Sequence, residues 1–127
     1  MYLKTSARSV EEVFANIEAA AKAEGFGVLH HYDFKKILAG KGFPIDRECR
    51  VLEICNPRQA SEVLAADMAL NLALPCRLSI YEGNDGATVV GMIPPTQSLA
   101  LVSNDARITD AARSVEKAME RIVDSVV

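Results

Sequence analysis

The sequence has no long hydrophobic run, no large excess of charge of either sign, only two histidines and only three cysteines in 127 residues. Its greasiest stretch, "MALNLALP" from Met68 to Pro75, is far too short to span a bilayer, and "MYLKTSARSVEE" at the start lacks the apolar centre of a signal peptide. A soluble cytoplasmic protein is expected. Fourteen Lys and Arg against 17 Asp and Glu leave a formal net charge of −3, without the basic footprint that nucleic acid or an acidic membrane demands. An odd number of cysteines in a reducing compartment reads as free thiols rather than a disulfide framework. There is no CxxC, no HExxH, no phosphate-binding glycine loop and no serine nucleophile motif. His30 and His31 are adjacent on an expected strand, so they point to opposite faces and do not make a joint metal site. No metal and no cofactor is assigned.

The segments that are present read as one domain over residues 1–127. Ser9 with Glu12 forms a capping box, followed by Val10, Val13, Phe14 and Ile17 on one helical face and by Gly25 as a stop. "GVLHHYDF" reads as a strand, and Asp33 caps a short helix that packs through Phe34, Ile37 and Leu38. "CRVLEIC" is a strand, and "RQASEVLAADMALNLALP" is helical to about Ala66, then a connector stopped by Pro75. "CRLSIYE" and "ATVVGMI" flank Gly83-Asn84-Asp85-Gly86 and form a hairpin. "PPTQSLALV" fits a short helix or an extended edge equally well. Ile108, Ala112, Val115, Met119, Ile122 and Val126 make the stripe of a long final helix lying on a sheet. The fold class is therefore α+β, in two layers, with a mixed or antiparallel sheet, helices on one face and the order β-α-β-α-β-α-β-β-α.

Strand phase sorts the faces. Leu52 and Ile54 share one face while Cys49, Val51, Glu53 and Cys55 share the other, and Leu78 and Ile80 oppose Arg77, Ser79 and Tyr81. A mixed face carrying Val51, Tyr81, Val90 and Met92 is too apolar to be left to water, so a homodimer covering it is expected. Glu53, an acid in mid-strand, needs a partner, for which Arg77 is the candidate.

In "LEICNPRQASEVL", Asn56 suits a helix N-cap and Pro57 the first helical position. Cys55 stands just before that helix start, where unpaired N–H groups and the dipole can stabilise a thiolate; the plainer reading is a small buried apolar residue. Cys76 in "LPCRLSIYE" shares the phase of Leu78 and Ile80, which reads as a core thiol on the face opposite Cys55. The candidate ligand-binding set is Cys55, Asn56, Pro57, Glu53 and Cys76, with Cys55 the candidate thiol.

"GFGVLHHYDFKKIL", "EICNPRQASEVL" and "LALPCRLSIYE" resemble, in the same order, the signature blocks of the domain of unknown function 302 family, over nearly the whole chain. The matching positions are Cys55, Asn56, Pro57, Pro75 and Cys76, with Gly25 and Gly27. That resemblance implies a compact α+β domain like the TATA-binding-protein type of fold, dimeric and without an established activity, and by association a sulfur-handling protein as partner. Two functions follow: a dimeric module binding a small molecule or protein partner at the Cys-Asn-Pro turn, or a thiol-dependent sulfur carrier or redox enzyme using Cys55.

Overall fold

The helix starts are written locally, and each cap forms as its sequence dictates. In the computed structural model, which describes residues 1–127, Ser9 accepts from the Glu12 N–H at 3.1 Å and Glu12 returns the bond, opening α1 (Val10–Ala23). Asp33 accepts from the Lys36 N–H at 3.1 Å to open α2 (Phe34–Gly40), and Asn56 does the same for Gln59 at 3.1 Å to open α3 (Pro57–Ala66). Each bond satisfies one of the orphan donors of a helix start. Proline at the first position of α3 costs nothing there and presets φ.

Five strands, β1 (Tyr2–Ser6), β2 (Gly27–Asp33), β3 (Cys49–Cys55), β4 (Cys76–Glu82) and β5 (Thr88–Met92), form one sheet in the order β1-β5-β4-β3-β2, every neighbouring pair antiparallel. Between α3 and β4 lies a 3₁₀ turn, Met68–Ala73. "PPTQSLALV" resolves as a short helix, α4 (Pro95–Ala100), because Leu99 then buries against Leu70, Ile108 and Ala112. The last helix, α5 (Ala106–Val126), buries the whole expected stripe from Ile108 to Val126.

The core is made where α1 and α5 lie on the face of Leu52, Ile54, Leu78 and Ile80, all at most 1% exposed. Burying each such side chain is worth about 1.5–3 kcal/mol. A smaller cluster joins α3, the 3₁₀ turn, α4 and the N-terminal half of α5 through Val63, Leu70, Leu99, Ile108 and Ala112. Arg50 pins α1 to β3: its guanidinium lies 4.6 Å from the Phe14 ring centre and pairs with Glu11.

Two of the four residues expected on the mixed face are elsewhere. The hairpin closes with Glu82 opposite Thr88, which sets Val90 opposite Ile80 and puts Val90 and Met92 in the core. Val51 does lie on the mixed face but is already 2% exposed within the chain. The apolar argument for a covering second copy therefore loses these residues, and arginine at Val90 would disrupt the core instead of a dimer.

The edge strand β1 is tied to α5 by the Tyr2 hydroxyl, which donates to Asp124 Oδ1 at 2.7 Å. Its hydrogen bond to the Asp124 carboxylate, with some loss of hydration, pushes the Tyr2 hydroxyl up to about 12 from an ordinary 10. Because the folded value lies above the unfolded one, the stabilisation is fully present below about pH 10 and is lost as the pH rises to about 12. Urea midpoints measured across that window should fall less steeply for Tyr2→Phe than for the natural chain; identical slopes would show that the bond adds no stability.

Candidate functional site

β3 ends at Cys55 and the chain turns into α3 at Asn56, so the strict alternation of faces stops where the thiol sits. The approach from α1 is equally constrained. Gly25, at φ +81°, follows the last turn of α1, with its N–H on the Lys22 carbonyl and the Phe26 N–H on the Ala21 carbonyl, the Schellman arrangement. A Cβ at Gly25 would lie 3.3 Å from Asn56 Nδ2, so glycine here serves both the reversal and the close approach to the cap. Gly27 stands directly across from Cys55 in the β2–β3 ladder, with no atom within 4 Å of where its Cβ would be.

These elements border an open cavity of about 380 Å³ between the end of the sheet, α3, the 3₁₀ turn and α5. Its walls are mostly apolar, with Phe26, Ile54, Val63, Leu74, Leu99 and Val115 among them. Cys55, Asn56 and Cys76 all line it, together with the amides of Gln59 and Asn71. The expectation that phase would keep Cys55 and Cys76 on separate faces is corrected: Cys76 lies opposite Ile54, next to the strand end, and both thiols reach the same space. Asn56 Oδ1 is taken by the helix cap, while its Nδ2 makes no hydrogen bond within the chain.

Of the two readings of Cys55, the direction of its thiol pKa goes with the small buried apolar residue. Burial raises the Cys55 thiol above its ordinary value, and no backbone N–H donates to its sulfur. Burial pushes Cys76 up further, to about 11, with the neighbouring Cys55 adding to it, and Cys49 is raised as well. All three cysteines are free thiols. A protonated, desolvated sulfur is a poor nucleophile, which weighs against a redox or carrier role for Cys55.

Pro57 is exposed at the first turn of α3 and lines neither this cavity nor the larger one. Glu53 does not line the cavity at the Cys-Asn-Pro turn. It lines a cavity of about 700 Å³ with Tyr32, Arg77, Ser79 and Tyr81, and Cys76, Pro75 and Leu74 form wall common to both cavities. The expected ion pair with Arg77 does not form, although the two are directly opposite in register; the Tyr32 hydroxyl donates to Glu53 Oε1 at 2.6 Å instead. A bulge in β2 between Val28 and His30 makes this possible by shifting His30 across from Glu53. His30 packs edge-on to Tyr32 at 4.6 Å, and His31 lies 4.9 Å from Phe14. Strand phase had grouped Arg77, Ser79 and Tyr81 with Glu53; Tyr32 carried no signal of its own, since its place depends on the bulge. No group of three His, Cys, Asp or Glu side chains is placed to hold a metal ion, and no helix is long and apolar enough to cross a membrane.

Residues 2–126 match the family described as domain of unknown function DUF302. Among solved structures, the crystal structure of an uncharacterized conserved DUF302 protein from Bacillus stearothermophilus is similar, with 31% sequence identity and a TM-score of 0.92 over 99% of this chain and 97% of that one. Among curated proteins there is no match.

Proposed function

The chain belongs to the DUF302 family, and from that premise we propose that it is a binding module whose cavity beside the Cys-Asn-Pro turn takes a small, mainly apolar molecule. One observation carries this reading: Cys55-Asn56 and Cys76, about twenty residues apart in sequence, line one cavity of about 380 Å³, a volume within the usual range for small-ligand sites. The apolar walls supply most of the affinity, and the N–H groups of the unengaged Asn56 Nδ2 orient a polar end. The two thiols act as small apolar wall groups, in keeping with their raised pKa values.

The test is a nuclear magnetic resonance titration of the isotope-labelled chain with benzyl alcohol, a compact apolar probe with one acceptor oxygen. At concentrations up to about 10 mM it should move the amide signals of Cys55, Asn56 and Cys76. The variant Ala60→Leu, which pushes three further carbons into the cavity from α3, should stay folded and lose the response. Unmoved signals in the natural chain would sink the reading.

A further inference from the structure

The larger cavity carries chemistry of a different kind. Arg77 lines it and is exposed, and its side chain takes part in none of the chain's ion pairs. Directly across the β3–β4 ladder, Glu53 spends one carboxylate oxygen on the Tyr32 hydroxyl and leaves the other without a partner. Opposed side chains in an antiparallel pair start about 5 Å apart. A free cation and a half-used anion thus stand side by side on one wall, each with unmet hydrogen-bonding capacity. The rest of the lining around them is mainly apolar, and Leu3, Met92 and Ile93 contribute to it. Gly91 keeps room for this wall, because a Cβ there would collide with the Leu3 side chain that lies across it.

We propose that this cavity binds a zwitterionic, amino-acid-like molecule with a large apolar side chain. Its carboxylate takes the planar fork of Arg77, which matches carboxylate geometry two bonds at a time. Its ammonium donates to the free oxygen of Glu53, whose other oxygen the Tyr32 hydroxyl holds in place. Its side chain covers the exposed Leu3 and Ile93. Charge complementarity selects the class: a simple acid leaves Glu53 unmet and a simple amine leaves Arg77 unmet, so each forfeits half of the polar recognition.

The experiment titrates the isotope-labelled full chain with L-phenylalanine, with 3-phenylpropionate and with phenethylamine, following the amides of Arg77, Ser79 and Gly91. Phenylalanine should move these signals and bind at least about tenfold more tightly than either half-molecule. Arg77→Gln should abolish the responses to phenylalanine and phenylpropionate, and Glu53→Gln those to phenylalanine and phenethylamine while leaving phenylpropionate. Both positions lie at the cavity surface outside the core, so both variants should keep the dispersed spectrum of the folded chain. The proposal is overturned by no response to phenylalanine at about 10 mM, by equal binding of the three probes, or by a response indifferent to Arg77→Gln. Shifts confined to Cys55 and Asn56 overturn it too, since they report the smaller cavity, whose own test with benzyl alcohol stands or falls separately.

Discussion

Near pH 8, iodoacetamide should label Cys76 about a hundredfold more slowly than a cysteine with an ordinary pKa, and more slowly than Cys55 in the same chain. The thiolate is the reacting species, and each unit of upward shift removes about tenfold of it. Burial, helped by the neighbouring Cys55, places the Cys76 thiol at about 11 against an ordinary 9. Cys55 is raised by burial alone. The raised value also ties Cys76 to stability: its contribution is intact below about pH 9 and is lost as the pH climbs towards about 11, because only the unfolded chain ionises readily in that interval. A time course of labelled peptides by mass spectrometry measures the order, and repeating it in denaturant should bring the three rates together. Cys76 labelled first in the native chain would contradict its placement between the two cavities.

Ile54→Ala should cost about 2–5 kcal/mol of folding stability, the range for truncating a large buried aliphatic side chain. Ile54 has no exposed surface and joins the main core, yet it also forms part of the wall of the smaller cavity. Truncation therefore removes buried apolar area and adds its lost volume to an existing cavity, so little collapse can offset it. The urea midpoint should fall by about 1–3 M, given the usual slope for a chain of this size. Leu72→Ala is the comparison: at 80% exposed, Leu72 should cost at most about 0.5 kcal/mol. A loss below about 1 kcal/mol at Ile54 would mean that the β3 face is not packed against α1 and α5 as described.

The glutamate between these groups shows how far a sequence reading reaches. Strand phase puts Glu53 on the face of Arg77, Ser79 and Tyr81, and the β3–β4 register sets Glu53 across from Arg77. It does not reveal that Tyr32 captures the carboxylate, because that depends on one extra residue in β2 between Val28 and His30. Val90 fails for a related reason. Which face a β5 residue takes depends on how many residues the turn at Gly83–Ala87 uses, and a change of one residue would exchange the two sets.

By itself the sequence determined the helix starts at Ser9, Asp33 and Asn56-Pro57, the stop at Gly25, the buried stripe of α5 and the β4–β5 hairpin. These rest on interactions among residues a few positions apart, where side-chain type and backbone preference settle the geometry before any distant contact forms. The tertiary structure alone decided that β1 pairs with β5 at the far end of the sheet, that Val90 and Met92 belong to the core, and that Cys55 and Cys76 share a cavity. The same holds for the raised thiol values, because the desolvation that produces them comes from helices packing over the end of a sheet, and no local spacing encodes how much water that packing removes.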